Sequence, residues 1–384
     1  MVRFGIIGVG NMGVQHSYYL KEGKVENGVL TAVCDINSAR LDWAKENLGD
    51  SVTRFDDAEE MMKSGLIDAV IVAVPHYDHP VLTIKAFEHN LHVICEKPAG
   101  VYTKQVKEMN DAAAKTDRVF SLMYNQRTHP QYAKAREMVQ SGELGNLKRV
   151  IWIITNWFRT QSYYNSGGWR ATWSGEGGGV LLNQCPHNLD LLQWICGMPS
   201  RARAFMSFGK YHDIEVEDEV TAYIEYDNGA TGLFITTTGE APGTNRLEIV
   251  GEKGKIVIED NKSFRYFKND QSDSEYSRSA TSGFDKPKCE EVPVEMPDYE
   301  GSHHLITQNF VNAIEKGETL IAPGVEGING LTISNAFHLS SVKEDWINIP
   351  MDDDEFLVFL DKKIKNSKYH KIVEEKTFGI DGTF

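Results

Sequence analysis

Positive charge is scarce in this chain: 40 Lys and Arg face 55 Asp and Glu over 384 residues, a formal charge of −15. An average surface of that sign repels phosphate backbones and anionic headgroups, so neither nucleic acid nor a membrane is an expected partner. Long apolar runs are lacking as well. The longest are strand-length pieces such as 69–75, well short of the ~18 residues that cross a bilayer. The opening MVRFGIIGVGNMG runs straight into glycines and shows neither the apolar core nor the cleavage site of a secretory signal. Cysteine is sparse, with five residues (Cys34, Cys95, Cys185, Cys196, Cys289) scattered without CxxC spacing. That pattern argues against a disulfide framework and a structural zinc site, so no metal is expected and a reducing cytoplasm is. Proline (12) and glycine (33) stay below the level of a disordered chain, while 41% hydrophobic residues suit a folded one of two or three domains.

What is present first is alternation. Strand-length runs at 2–7, 29–34, 69–74, 92–95 and 119–124 are separated by helical patterns near 13–21, 38–47, 58–63, 79–89 and 104–115. Such βαβ spacing predicts a doubly wound parallel sheet, a Rossmann-type domain over 1–125. After a helix near 130–141 the pattern changes to strands in succession, at 149–156, 202–208, 220–226, 232–238, 246–250 and 255–258, with hairpin turns at 227–229 and 252–254. They predict an α+β domain over 126–384 with a large, mainly antiparallel open sheet. One helix, 186–196, interrupts it between Pro186 and Gly197. Residues 262–300 read as irregular loop, 302–316 and 324–341 as helices, the last able to pack back on the first domain, and the 352–355 acid run as solvated surface.

The first strand ends in Gly8-Val9-Gly10-Asn11-Met12-Gly13 and a helix follows. In that context Gly8 serves the tight turn, Gly10 lets backbone approach a pyrophosphate, and Gly13 lets helix and sheet close up. Asp35 ends the second strand about 20 residues on, where a carboxylate accepts from an adenosine ribose and repels a 2′-phosphate, so NAD is expected over NADP. Lys97, in Glu96-Lys97-Pro98 at the end of the fourth strand, either projects toward the nicotinamide or only caps the sheet. His187 opens a helix after Gly177-Gly178-Gly179, where an imidazole is either structural or a proton shuttle.

Taken together these motifs resemble the Gfo/Idh/MocA family of dehydrogenases: GIIGVGNMG, then Ala73-Val74-Pro75 with His79, then EKP, then GGG with Asn183, His187 and Asp190. The resemblance implies NAD as cofactor, with Pro75, His79 and Glu96 joining the nucleotide side and His79 lining the nicotinamide face. It implies Lys97 as the lysine that orients the substrate hydroxyl and His187 as the acid/base. Asn183 stands where the family often has Asp, and an amide can orient but cannot take up a proton. A homodimer or homotetramer is implied too, because in relatives the open sheet packs on another subunit.

Four of the seven tryptophans lie between 152 and 173, with Trp157, Arg159, Tyr163, Tyr164, Trp169 and Arg170 as expected substrate contacts. Aromatic faces beside Arg suit pyranose rings, and equally a subunit interface. Asn125 and Arg127 are expected as further contacts, and the glycine-hinged 163–168 as a lid. The resulting expectation is an NAD-dependent dehydrogenase of a secondary hydroxyl on a sugar or glycoside, with C3 of a hexoside favoured. Glycoside cleavage with recycled NAD, or a non-catalytic NAD and sugar-binding regulator, are the alternatives.

Overall fold

Six short strands lie parallel at the N-terminal end of the computed structural model, which describes residues 1–374. The chain runs β1 (Val2–Ile7), α1 (Asn11–Lys21), β2 (Gly28–Cys34), α2 (Ser38–Leu48), β3 (Thr53–Phe55), α3 (Ala58–Lys63), β4 (Ala69–Val72), α4 (Asp78–Glu88), β5 (His92–Cys95), α5 (Thr103–Ala113) and β6 (Phe120–Leu122). Their order is β3-β2-β1-β4-β5-β6. Central strands need apolar side chains on both faces: all of β4 is buried and only Arg3 of β1 is exposed. Two of these helices, α2 and α3, start on side-chain caps, Asn37 accepting from the Ala39 N–H and Asp57 from the Glu60 N–H. Because the strand order reverses between β1 and β4, a crevice opens beyond the carboxyl ends of these strands.

Then follow α6 (Pro130–Gln140), β7 (Leu147–Ile154), α7 (Gln161–Asn165), α8 (Val180–Asn183), α9 (Pro186–Cys196), β8 (Arg201–Phe208), β9 (Glu217–Glu225), β10 (Thr231–Thr237), β11 (Asn245–Gly251) and β12 (Gly254–Glu259). Beyond them come β13 (Ser263–Asn269), α10 (Asp273–Ser279), β14 (Cys289–Val292), α11 (His303–Lys316), α12 (Gly327–Lys343), β15 (Ile347–Asn348) and α13 (Asp353–Asn366). Nine strands form one sheet in the order β14-β13-β12-β11-β7-β10-β9-β8-β15, antiparallel except for the β7–β10 pair. At the β9–β10 hairpin Gly229 takes φ +84°, the left-handed geometry that the Asp-Asn-Gly turn demands. Buried and part-exposed residues alternate along β11, so one face of the sheet is core, and α12 lies along β8 and against α9.

Three stretches differ from the sequence reading or add to it. Residues 262–300 hold β13, α10 and β14, whose pattern is weak because only Tyr266 of β13 is buried; strand pairing with β12 holds it, not a core face. The acid run at 352–355 is the N-terminus of α13. Asp352 caps the helix through the Asp354 N–H, while Asp353 and Asp354 pair with Lys107 and Lys104 of α5 and Glu355 pairs with Lys343. The 324–341 helix begins as a 3-10 turn, Gly324–Glu326, before α12. Asn335 of α12 donates to the Val101 carbonyl and accepts from the Thr103 N–H, tying the two sheets' layers together. Of the expected second domain, 375–384 lie outside the described residues.

Candidate active site

Between β1 and α1 the glycines answer to space. Gly8 has φ +90°, and a Cβ there would sit 2.4 Å from the Ala73 oxygen; one on Gly13 would sit 1.9 Å from the Gly8 oxygen. At Gly10 a Cβ would meet nothing within 4 Å, so the backbone at the start of α1 borders open space. That helix start carries no side-chain cap, and Asn11 and Met12 in its first turn are only half-buried. Free N–H groups at a helix N-terminus beside open space fit a pyrophosphate. Asp35 is held in place by the Val9 N–H at 2.7 Å on one oxygen and the Asn37 N–H at 2.9 Å on the other, with lone pairs left for a ribose. The residues present therefore fit a dinucleotide.

The ends of β4 and β5 are fastened by His79, whose ring nitrogens lie 2.7 Å from the Pro98 carbonyl and 2.8 Å from that of Val74. Both nitrogens thus face backbone, which departs from the expectation that this ring lines the cleft; its work is to clamp the Pro75 loop to the Lys97 turn. Glu96 points inward to His16 of α1, 2.7 Å away, and accepts from the Lys97 N–H at 3.1 Å. Burial pushes the Glu96 pKa up, but His16, His303 and Lys97 outweigh it and bring it down to about 2. Lys97 itself donates from Nζ to the Asn183 carbonyl at 3.0 Å. Burial lowers its pKa, with Arg170 and Arg159 adding to the fall and Glu96 and Glu176 opposing it.

His187 is 4% exposed in the first turn of α9, its ring edge-on to Tyr124. Burial, then the nearby Lys97 charge, hold its pKa well below the ordinary histidine value. No described residue bonds its Nδ1. A neutral imidazole without a competing partner can accept a proton.

Above these groups Arg159 stacks on Trp157 and Tyr163, and Arg170 stacks on Tyr163 and Trp169. The Tyr163 hydroxyl receives Arg170 at 2.9 Å and Gln184 at 3.2 Å, and donates to Asn183 Oδ1 at 3.4 Å. The sequence stretch thus divides. Trp157, Arg159, Tyr163, Trp169 and Arg170 form one aromatic and cationic layer next to Asn183. Trp152 and Trp173 are core, and Tyr164 turns to the sheet, its hydroxyl 2.7 Å from Thr238 Oγ1. The 163–168 segment includes the end of α7 and is tied down by the C-terminal segment, where Lys371 donates to the Tyr164 and Arg170 carbonyls and the Glu374 N–H to that of Asn165.

Asn125, 2% exposed, keeps a buried Oδ1 without a described partner. Arg127 does not reach the site as expected. Its guanidinium is bound by both oxygens of Asp190 at 2.7 and 2.6 Å, by Glu326 and by the Ile321 carbonyl, because a charge buried this deeply requires full pairing.

Two stretches of the chain match models of one family: residues 2–124 match "Oxidoreductase family, NAD-binding Rossmann fold" and residues 132–257 match "GFO/IDH/MocA C-terminal domain". The D-glucoside 3-dehydrogenase of Escherichia coli (strain K12) is 30% identical over 259 residues, 62% of this chain and 70% of that protein. The chain belongs to the Gfo/Idh/MocA family. As a member it is an NAD-dependent oxidoreductase. It is 24% identical over 343 residues to myo-inositol 2-dehydrogenase of Thermotoga maritima, 87% of this chain and 95% of that one. The WlbA dehydrogenase of Chromobacterium violaceum, solved with NADH and UDP-GlcNAcA, superposes with a TM-score of 0.78 at 26% identity, over 91% of this chain and 96% of that chain.

Within this Gfo/Idh/MocA site the sequence reading missed three buried partners. Glu217 accepts from the Gly179 and Leu181 N–H groups and pairs with His338 at 3.0 Å, which sets the triple-glycine turn ahead of Asn183. Gly179 tolerates no side chain there, since its Cβ would lie 2.0 Å from the Glu217 carbonyl. Glu176 bonds the Asn183 side chain. Each lies on a different segment from its partner or on a turn without periodicity, so a single sequence carries no signal for them beyond Glu176 adjoining the glycines. Among the described residues no helix is long and apolar enough to cross a membrane.

Proposed function

We propose that this enzyme oxidises a secondary hydroxyl of a sugar or glycoside, C3 of a hexoside first among the choices. The observation that carries the reading is the buried His187, its Nδ1 without a hydrogen-bond partner among the described residues, near Lys97, with a layer of Trp157, Tyr163, Trp169, Arg159 and Arg170 against the Asn183 that holds that lysine. NAD, held along Gly8 to Gly13 and by Asp35, supplies the hydride acceptor when bound. Lys97 would hold the hydroxyl oxygen and stabilise its growing negative charge, while His187 takes the hydroxyl proton. The carbon loses hydride and the oxygen loses a proton, leaving a ketone. Aromatic faces against pyranose C–H groups, with guanidinium donors to ring hydroxyls, favour a saccharide over an apolar alcohol. The activity named for the Escherichia coli relative supports C3.

The test is a panel of glucosides, free sugars and polyols incubated with NAD, with NADH read by absorbance and the ketone located by NMR. NADH equal to product, with a carbonyl at C3, is the expected result. Glycoside cleavage without net NADH would overturn dehydrogenation, and a carbonyl elsewhere would overturn C3.

The same reading includes a homodimer or homotetramer. Ile151, Ile153, Leu233 and Ile235 alternate with the buried residues of β7 and β10 and remain part-exposed, and Phe205 of β8 is 60% exposed. A central apolar band on an open sheet face is stabilised by a second copy. Light scattering at micromolar concentration should give a multiple of 43.2 kDa, and a monomer mass would contradict it.

A further inference from the structure

An asparagine amide offers an acceptor on one side and donors on the other, and its neighbours decide which side meets a ligand. Asn183 donates from Nδ2 to Oε1 of Glu176. Glu176 is 2% exposed, and its other oxygen accepts from the Ala171 N–H at 2.5 Å. A carboxylate only accepts, so it turns Nδ2 toward itself and leaves Oδ1 on the opposite side, where the Tyr163 hydroxyl lies. The backbone carbonyl of the same residue holds Lys97 Nζ. Ala171, the other partner of Glu176, adopts φ +55° next to Arg170, which joins the aromatic layer. One buried carboxylate therefore links that layer to the residue that holds the lysine. Burial pushes the Glu176 pKa up, and Arg170, the Ala171 N–H, the Asn183 amide and Lys371 oppose that rise by favouring the carboxylate.

We propose that Glu176 is a positioning residue that locks the Asn183 amide with its acceptor toward the pocket beside Lys97. The floor so built takes a substrate hydroxyl that donates, next to the one being oxidised. The inference rests on the dehydrogenase reading for its kinetic test only.

Glu176→Gln keeps an acceptor for Ala171 and presents a donor to Asn183. The amide then turns over and offers the pocket a donor in place of an acceptor. Expected are a rise in KM of about tenfold with a smaller change in kcat, the signature of lost substrate positioning. Asn183→Asp puts two carboxylates in contact and should lower both Tm and kcat/KM. Combining Glu176→Gln with Asn183→Asp sets donor against acceptor again, with an acceptor facing the pocket, so the pair should recover most of both losses. Additive losses in the double variant, or a wild-type KM in Glu176→Gln, would overturn the proposal. Coupling in Tm without any kinetic effect would overturn it too, reducing Glu176 to a structural link. If the wild type oxidised no member of the panel, the dehydrogenase reading would fall, while the Tm cycle would still decide the Glu176–Asn183 pairing.

Discussion

Alanine in place of His187 should lower kcat by ~10² to 10⁴ while NAD affinity stays within about threefold. The ring gives up no described hydrogen bond on removal, so the loss reports proton transfer and not a collapsed network. Lys97→Ala should be comparably severe, since it removes a charge and the donor to the Asn183 carbonyl together. A sign follows for pH. Burial and the Lys97 charge both keep His187 neutral, so the acidic limb of kcat/KM should lie below the ordinary histidine value of about 6.5. Lys97→Met removes one of those two causes and should move the limb upward in whatever activity remains. Near-normal turnover in His187→Ala, with NADH binding measured by fluorescence titration as the control, would refute the assignment.

Arg127→Ala should cost about 3 to 5 kcal/mol of stability, the scale for breaking a buried ion pair. Its side chain is fully buried and Asp190 is 1% exposed, so truncation strands a carboxylate inside the protein. Burial already works to raise the Asp190 pKa, with Arg127 pulling it back. The expected response is a lower urea midpoint at unchanged slope. Arg127→Met with Asp190→Leu should recover much of the loss, because an apolar pair fills the space without a stranded charge. A loss under about 1 kcal/mol for Arg127→Ala would place this arginine with exposed pairs and refute a structural role.

The first sheet was legible because a parallel strand must be apolar on both faces, and five of its six strands lie in short, mainly apolar runs. The sixth, β3, has three residues, none of them buried, and left no such trace. In the second domain the hairpins were legible from their turn residues. The β13–β14 edge was not, since an edge held by backbone pairing needs no apolar alternation. The acid run at 352–355 is solvated as expected, with Asp352, Asp354 and Glu355 exposed, but composition alone does not show that these carboxylates also cap a helix and pair with lysines.

For the site the division is sharper. Sequence alone determined the glycine turn between β1 and α1, because Gly8 and Gly13 answer to contacts with the strand-to-helix turn they themselves build and with the neighbouring strand end. It also singled out Lys97, Asn183 and His187 through their places at a strand end and after a triple-glycine turn. Only the tertiary structure decided what surrounds them. His79 bonds backbone, Arg127 is consumed by Asp190 and Glu326, Tyr164 faces the sheet, and Glu176 reaches Asn183 across a turn. Those partners come from segments brought together by packing, and a buried polar group declares its role only through the atom that satisfies it.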